Sequence, residues 1–582
     1  MNGPITQAMQ ELTALITEAR QAAVKAGDLP AVESLPAFLV ERPADVSHGD
    51  FATNAAMAGA RAFHKAPRQI AEAIVSHLAL ENTHFEKAEI AGPGFINFFM
   101  GASWFADAVS RVLAEGEHYG RTDAGAGKKV MVEFVSANPT GPMHMGNARG
   151  GAIGDCLAAA LDWAGYDVTR EFYINDAGNQ IAKFGASLEA RYLQHYKGEE
   201  AVPFPEDGYH GPDITAHAEA YIAAHGDDLL EKTSAERQAA LVEWALPKNI
   251  AKMQADMESY RIFFDVWFHE SALHESGAVK AVVDELTARG LTYEKDGAVW
   301  YKNAEVVAAR LRREGRSEKQ IEALELKDDV LIRANGFPTY FAADIAYHKN
   351  KLVDRGFDKA IDVWGADHHG HVARLKGAMD ALGIGGDRLD IVLMQLVRLT
   401  RNGEVVRMSK RTGNAISLTD LLEEVPIDAA RFFFNLREPG SAFDFDLDLA
   451  VSESSDNPVY YVQYAHARIC SILKNLAAEG IRVDPATEEQ LLLLTDPAER
   501  DLIRYLALFP EEIAAAAKNY DPARITRYAI ELATRFHRFY NTCRVKCGDE
   551  GLQSARVTLC LATRQTIENV LGMLRITSPE TM

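Results

Sequence analysis

A short apolar run followed by a loop with several glycines is the feature that most constrains the fold of this chain. The run, Val130–Val135, has the pattern of a buried parallel strand. A helix is predicted over about Gly150–Ala164, ending at Gly165, and Val168–Tyr173 has the pattern of the next strand. These elements predict a β-α-β unit whose loop lies at the carboxyl end of its first strand, where open parallel sheets bind ligands.

The loop after the first strand, Asn138–Asn147, has a composition suited to binding phosphate. Gly141 and Gly146 would let the backbone approach a nucleotide, and the helix N-terminus that follows favours anions. His144 and Asn147 can donate hydrogen bonds to phosphate oxygens, and we expect Asn147 to lie just before the helix. Taken alone, the segment is explained equally well as a Gly-Pro loop with a helix N-cap at Asn147.

A second segment, Arg407–Asn414, lies between glycine-containing turns. Its Lys410 is a compact charge that could neutralise a leaving pyrophosphate, and Met408 and Ser409 precede it in the same predicted loop. Taken alone, the segment is better explained as a basic surface loop. Paired with the first loop, it predicts a second contact to the phosphates of ATP.

A third segment, Gly365–His371, follows a predicted strand that ends at Trp364. It therefore lies at the carboxyl end of a strand, where ligands bind. Gly365, Asp367 and His368 are predicted to contact the nucleotide. The histidines also allow a zinc hypothesis, which ranks lower because no second group of ligands is evident.

The bulk composition bounds the function classes. The net charge of −22 does not suggest a generic nucleic-acid coat protein, although a local basic face could still steer an anionic ligand. Five cysteines without a repeated spacing argue against a disulfide framework. No apolar run approaches the roughly 18 residues of a membrane span, and the first residues lack a signal-peptide pattern. We therefore expect a cytoplasmic protein without membrane association.

The predicted fold class is α/β, in three regions. Residues 1–115 form an N-terminal α+β domain, because helical spacing precedes a Gly-Pro turn and an apolar strand. Residues 125–425 form the parallel-sheet domain, interrupted by a mostly helical insertion at about 180–300. Residues 426–582 lack a strong strand signal from 457 onward and contain long amphipathic segments, which predicts a helical bundle.

Strands and helices outside the first β-α-β unit are predicted at specific places. After the insertion, the α/β pattern resumes with three strands, Val330–Arg333, Lys359–Trp364 and Arg388–Leu393. In the last region, Pro458–Leu473 and Ile525–Tyr540 are predicted as helices.

Together the motifs resemble those of bacterial arginyl-tRNA synthetases, which are class I aminoacyl-tRNA synthetases, over essentially the whole chain. His144–Asn147 matches the HIGH motif at its first histidine and its glycine, with Asn147 in place of the second histidine. Arg407–Arg411 matches KMSKS at Met, Ser and the second Lys. Asp428–Arg431 resembles the DALR segment that begins the anticodon-binding region, and Ser47–Asn54 resembles the domain that contacts the tRNA elbow.

The resemblance implies a Rossmann-like class I catalytic domain with a helical insertion, an N-terminal α+β additional domain and a C-terminal all-α anticodon-binding bundle. It implies a ligase that activates L-arginine with ATP to arginyl-adenylate and transfers it to the 3′-terminal adenosine of tRNA(Arg), by initial attack of the 2′-hydroxyl. Mg²⁺ would arrive on the ATP phosphates, with no dedicated metal site and no prosthetic group. The family also implies a monomer that must bind tRNA before it activates arginine efficiently.

The resemblance also assigns residues to roles, with Asp344 pairing with the guanidinium of arginine and Tyr340 covering it. The implied catalytic residues are His144, Asn147 and Lys410. The residues implied to bind ATP are these three together with Pro139, Gly141, Gly146, Gly365, Asp367, His368, Met408 and Ser409. The residues implied to bind the amino acid are Glu133, Ser136, Asn138, Tyr340, Asp344 and His368.

Two alternatives remain open at the level of sequence. The first is another class I synthetase or a smaller HIGH-type nucleotidyltransferase resembling pantothenate synthetase, against which the N-terminal and C-terminal regions argue. The second is an inactive tRNA-binding or scaffold relative, against which His144, Lys410 and Asp344 argue.

Overall fold

The chain folds into two compact units, each assembled from stretches that are far apart in the sequence. This computed structural model describes residues 3–406 and 416–582. The first unit joins the two ends of the chain, and the second holds its middle. The bounds are Met1–Ala124, Glu453–Asn519 and Arg524–Met582 for the first unit, and Gly125–Ser452 with Tyr520–Ala523 for the second.

The amino-terminal part of the first unit is an α+β fold. Its four strands form an antiparallel sheet in the order β1-β2-β4-β3. The predicted Gly-Pro turn at Gly92–Gly94 connects β3 to β4, and the rings of Phe51, Phe85 and Phe98 pack edge to face in the core. The elements are α1 (Pro4–Ala26), β1 (Val40–Glu41), β2 (Phe51–Thr53), α2 (Ala55–Phe63), α3 (Pro67–Ser76), β3 (Phe85–Ala91), β4 (Phe95–Met100) and α4 (Ala102–Glu115).

The second unit is centred on a five-stranded parallel sheet. Its strands lie in the order β12 (Leu389–Met394), β11 (Lys359–Gly365), β5 (Lys129–Glu133), β6 (Asp167–Ile174) and β7 (Val266–His269). The predicted β-α-β unit is formed by β5, α5 (Met145–Trp163) and β6. The elements that build or flank this sheet first are β5 (Lys129–Glu133), α5 (Met145–Trp163), β6 (Asp167–Ile174), α6 (Gly178–Lys197), α7 (Pro212–His225), α8 (Ser234–Ser259), β7 (Val266–His269), α9 (Glu270–Glu275) and α10 (Ala278–Ala288).

The remainder of the second unit adds two small sheets, in the orders β10-β9-β8 and β14-β13-β15, and completes the parallel sheet. Its elements are β8 (Thr292–Lys295), β9 (Ala298–Tyr301), α11 (Asn303–Arg313), α12 (Glu318–Glu322), β10 (Asp329–Ile332), α13 (Tyr340–Lys349) with a π-helical turn (Asn350–Asp354), β11 (Lys359–Gly365), α14 (His369–Ala381), β12 (Leu389–Met394), β13 (Val397–Arg401), β14 (Glu404–Val406), α15 (Leu418–Glu424), α16 (Ile427–Phe434), β15 (Phe443–Asp446) and α17 (Leu447–Val451).

The predicted insertion at about 180–300 differs from the structure at its carboxyl end. It is helical through α8, but Val266–His269 forms β7, which pairs in parallel with β6 at the edge of the main sheet. A run of only four residues between long helices carries little periodicity, so the sequence pattern did not reveal it. The strand predicted at Val330–Arg333 exists as β10, but it pairs antiparallel with β9 in a separate sheet.

The carboxyl-terminal part of the first unit is helical, as predicted. The two amphipathic segments Pro458–Leu473 and Ile525–Tyr540 lie within α18 and α22 of this bundle. Of the helices in the described residues, none is both long and apolar enough to cross a membrane. The helices are α18 (Pro458–Ala478), α19 (Glu488–Leu491), α20 (Pro497–Ala507), α21 (Phe509–Asn519), α22 (Ala523–Thr542) and α23 (Glu550–Met573).

Close contact between α5 and the residues that follow β5 depends on a glycine. A Cβ built on Gly154 would overlap the aromatic ring of Phe134, which is fully buried. A Cβ on Gly150, one turn earlier in the same helix, would meet only Met394, at an ordinary 3.6 Å. Gly154 therefore allows α5 to pack closely against the residues that follow β5.

Replacing Gly154 with alanine is expected to destabilise the second unit by about 1–3 kcal/mol, because overpacking of a closed core costs that much. The matched change Gly150→Ala should be neutral or stabilising by up to about 1 kcal/mol, because alanine favours helix and nothing blocks it. Urea unfolding of both variants measures the difference. Equal stability of the two variants would contradict this packing account.

Candidate active site

The turn after β5 holds a carboxylate in a fixed position. Val135 and Ser136 have φ angles of 70° and 41°, a left-handed conformation that is rare outside glycine. The Ser136 hydroxyl donates to Glu133 Oε1 at 2.8 Å and accepts from the Tyr173 backbone N–H at 3.1 Å. The turn thus ties the end of β5 to β6 and orients Glu133. Backbone conformations of this kind concentrate at functional sites.

A buried lysine joins Glu133 to the neighbouring strand. Lys351, fully buried in the π-helical turn after α13, places Nζ 2.5 Å from Glu133 Oε2 and 2.9 Å from Asp362 Oδ1. His348 Nε2 lies 2.7 Å from Asp362 Oδ2. π-Helical turns often mark functional sites, because they shift the register of side chains along a helix. The cluster connects β5, β11 and α13 through charge-assisted hydrogen bonds.

The charged groups of this cluster shift one another's pKa values. Burial alone would raise the pKa of Asp362, but Lys351 and His348 outweigh it and lower the pKa to about 2. Burial would lower the pKa of Lys351, and the Asp362 and Glu133 carboxylates reverse this and raise it. Burial raises the pKa of Glu133 despite the lysine. Because its pKa is raised, Lys351 stays charged at neutral pH.

The loop before α5 differs from the sequence expectation at Asn147. The N-cap of α5 is His144, and Asn147 lies inside the first turn, where its Oδ1 accepts from the His144 backbone N–H at 2.9 Å. Since the amide oxygen is engaged, the NH₂ group is the end of the side chain that could reach an anion. His144 is exposed, and a Cβ at Gly146 would meet nothing within 4 Å. Both positions are accessible to a nucleotide.

The segment after the second motif pairs with this loop. The Met145 N–H donates to the Ile416 carbonyl at 3.1 Å, and the Leu418 N–H donates to the Met143 carbonyl at 2.9 Å. These bonds place Ile416 and Leu418 beside the loop that precedes α5. The predicted residues Met408, Ser409 and Lys410 lie outside the described residues.

The predicted guanidinium pocket has a defined hydrogen-bond network. Asp344, one turn after Tyr340 on α13, places Oδ2 2.7 Å from His371 Nε2. Arg374 Nε donates to the other ring nitrogen of His371 at 2.6 Å. The network orients the Asp344 carboxylate towards a cavity of about 610 Å³, whose lining includes His368.

Tyr340 separates this cavity from a second one of about 580 Å³. Tyr340 is 42% exposed, so it is accessible to a ligand. Residues brought to the second cavity include Glu270, Arg333 and Phe337.

Glu270, which lines the second cavity, was not among the site residues predicted from the sequence. It follows β7 at the start of α9 and is 3% exposed. The Asn175 amide, oriented by its hydrogen bonds, donates to Glu270 Oε2 at 3.0 Å, and His274 Nε2 lies 3.3 Å from Oε1. Burial raises the pKa of this carboxyl, although Tyr173 and His274 oppose the rise. Glu270 follows β7, and because that short strand was not recognised from the sequence, its carboxyl end was not searched for ligand-binding residues.

The remaining predicted site residues are distributed along the same edge of the sheet. Asn138 is exposed and Pro139 buried, while Gly141 approaches the carboxylate of Asp213 on α7. Gly365 ends β11, and Asp367 and His368 form an exposed turn after it. Within residues 3–406 and 416–582, no three His, Cys, Asp or Glu side chains are grouped as a metal ion would require.

Comparisons with known proteins match the entire chain. Three family models match: an arginyl tRNA synthetase N terminal domain at 10–100, a tRNA synthetases class I (R) catalytic domain at 108–441, and a DALR anticodon binding domain at 462–582. The arginine–tRNA ligases of Acetivibrio thermocellus and Caldanaerobacter subterraneus are 53% and 54% identical over 582 residues, covering 100% of each chain. The solved Thermus thermophilus arginyl-tRNA synthetase shares the fold, with a TM-score of 0.69 at 22% identity, over 97% of this chain and 99% of that one.

Replacing Lys351 with methionine is expected to destabilise the second unit by about 3–5 kcal/mol at pH 7, because two buried carboxylates lose their cation. The matched change Lys359→Met breaks a pair with the partly exposed Asp390 and should cost about 1 kcal/mol or less. Thermal unfolding of both variants and the parent measures the difference.

The pH dependence of this loss has a defined sign. The low pKa of Asp362 contributes stability that is present above about pH 4 and is lost as the pH falls towards about 2. The deficit of Lys351→Met relative to the parent should therefore shrink over that range. A deficit independent of pH between 4 and 2, or equal losses for Lys351→Met and Lys359→Met, would contradict the account.

Proposed function

The chain belongs to the arginyl-tRNA synthetase family, and on that premise we propose that it is a ligase that charges tRNA(Arg) with L-arginine. In the first step the arginine carboxylate attacks the α-phosphorus of ATP. A carboxyl–phosphate bond forms, the bond to the β-phosphate breaks, and pyrophosphate leaves. The single observation that best supports arginine as the substrate is the pair of carboxylates, Asp344 and Glu270, on either side of Tyr340.

The guanidinium group suits this arrangement. It offers five N–H donors in a planar fork and a permanent charge, so its pocket needs acceptors and negative charge. Asp344 would pair with the fork while His371 holds its Oδ2, Tyr340 would cover the planar group, and Glu270 would supply a second carboxylate. Lysine could not satisfy both carboxylates with the same geometry, and a neutral isostere would leave buried acceptors unpaired.

The other end of arginine would contact the turn after β5. Glu133, Ser136 and Asn138 would bind its α-ammonium group and nearby polar atoms. The cluster of Glu133, Lys351 and Asp362 carries more carboxylates than ammonium groups, so a substrate ammonium would complete its charge balance. Holding both ends of the substrate would aim its carboxylate at the α-phosphate. Orientation of this kind lowers the activation barrier of the first step.

ATP would lie along the loop before α5 and the turn after β11. Donors from His144 and Asn147, with the free N–H groups at the start of α5, would stabilise charge on the phosphate oxygens. The residues proposed to line the nucleotide are Pro139, Gly141, Gly146, Gly365, Asp367 and His368, together with Met408, Ser409 and Lys410 from outside the described residues. Lys410 would neutralise the leaving pyrophosphate.

ATP would bring Mg²⁺ on its phosphates, where the ion supplies positive charge to the reacting oxygens. The phosphates would carry the ion to the site, and we assign it no protein ligand. The chemistry requires positioning and charge neutralisation from this chain, and we assign no general base.

In the second step the 2′-hydroxyl of the 3′-terminal adenosine attacks the arginyl carbonyl carbon. An ester bond forms, the carbonyl–phosphate bond breaks, and AMP leaves, while the hydroxyl proton passes to a phosphate oxygen of AMP or to water. The helical region matched by the DALR model would bind the anticodon, and the N-terminal α+β region would bind the tRNA elbow. We further propose that tRNA binds before activation, and that the enzyme is a cytoplasmic monomer.

Replacing Asp344 with asparagine is expected to raise the KM for arginine by about 100-fold or more, because the guanidinium loses its charged partner. The KM for ATP should change little, since asparagine keeps an acceptor for His371. ATP–pyrophosphate exchange in the presence of tRNA(Arg) measures both values. Asp354→Asn, an exposed carboxylate in the π-helical turn, is the control. Similar arginine affinities for both variants would refute the assignment.

A further inference from the structure

The helical segment between β6 and β7 forms a body with its own apolar core. Helices α6, α7 and α8 pack around Phe184, Leu188, Tyr221 and Leu241, all buried. Such a core keeps the helices in one arrangement relative to each other. A side chain projecting from this body can therefore hold a neighbouring loop in place.

One side chain of this body contacts the nucleotide loop. Asn249 on α8 is 8% exposed, and its Nδ2 donates to the backbone carbonyl of Pro139 at 2.9 Å. Pro139 is itself buried and opens the loop that runs to His144. A buried carbonyl requires a partner, because an unpaired one loses its hydration without compensation.

A second helix fixes the orientation of this amide. His217 on α7 places Nε2 2.6 Å from Asn249 Oδ1. With that oxygen accepting from the imidazole N–H, the NH₂ group of Asn249 is turned towards Pro139. His217 on α7 donates to Asn249 on α8, and Asn249 donates to the Pro139 carbonyl of the loop.

The far end of the loop is held separately. The backbone of Met143 and Met145 pairs with Ile416 and Leu418, as described above. Asn249 is thus the contact that secures the beginning of the loop, while the backbone pairs secure its end.

We propose that Asn249 is a positioning residue for ATP, which holds the Pro139 end of the nucleotide loop through a hydrogen bond that His217 orients. This assigns a role to the helical segment in the activation step, and it rests on the proposed function. Loss of the bond would free the Pro139 carbonyl to move towards water. The loop would then present His144 and the α5 N-terminus less accurately, and a displacement of this kind lowers the rate.

The test is Asn249→Asp, which keeps the shape and the acceptor for His217 but replaces the donor with a charged acceptor. In tRNA-dependent ATP–pyrophosphate exchange, kcat/KM for ATP should fall about ten- to a hundredfold, while the KM for arginine changes less than about twofold. His217→Phe removes only the group that orients the Asn249 amide, so it should lower kcat/KM for ATP by about two- to fivefold.

The matched control is Asn303→Asp. Asn303 is also buried in the second unit, and its Nδ2 donates to the Lys327 carbonyl at the same 2.9 Å, away from the nucleotide loop. Asn303→Asp should lower the melting temperature but leave kcat/KM for ATP and the KM for arginine unchanged.

Selective loss of ATP kinetics in Asn249→Asp and His217→Phe supports the inference. Unchanged ATP kinetics in folded Asn249→Asp, or a loss matched by Asn303→Asp, overturns it; if Asn249→Asp does not fold, unchanged ATP kinetics in His217→Phe overturns it. Absence of arginine-dependent exchange in the unaltered chain would instead overturn the proposed function.

Discussion

The buried ion pairs of Lys351 are the interactions on which the second unit, which carries the proposed active site, depends. The Lys351 ammonium group lies fully buried between Glu133 at the end of β5 and Asp362 on β11, so it joins two adjacent strands at the edge where the site begins. Because Lys351 directly follows α13, the same contact fixes the helix that carries Tyr340 and Asp344. A buried charge of this kind stabilises only when all its partners are present. These ion pairs therefore hold the turn after β5 and helix α13, the two ends of the proposed arginine site, in a fixed arrangement.

Within that arrangement, the proposed chemistry requires accurate placement and little proton transfer. The amino-acid side of the proposed site is held by side-chain hydrogen bonds among Asp344, His371 and Arg374. The nucleotide side is held by backbone bonds to Ile416 and Leu418 and by the helix N-terminus. Preorganised donors of this type stabilise charge that develops on phosphate, which is the main demand of carboxylate activation.

The local elements of the fold could be predicted from the sequence, and several pairings could not. The β-α-β unit and the C-terminal helices follow from periodicity, and both are confirmed. The Asp296-Gly297 turn between β8 and β9 was not among the predictions, although Asp-Gly is a strong hairpin signal and both residues have the positive φ that such a turn requires. The contacts of Lys351 with Glu133, 218 positions away, exist only through tertiary structure, and no spacing rule reveals them. The role of Lys410 stays a prediction from its motif.

The most direct test of the central claim is ATP–pyrophosphate exchange with each standard amino acid, with and without tRNA. We predict exchange with arginine alone, and only when tRNA(Arg) is present, because carboxylates on both sides of Tyr340 would select the guanidinium and because we propose that tRNA binds before activation. Exchange with another amino acid would contradict the assignment of Asp344 and Glu270. No exchange by folded protein under any condition would contradict the proposed enzyme itself.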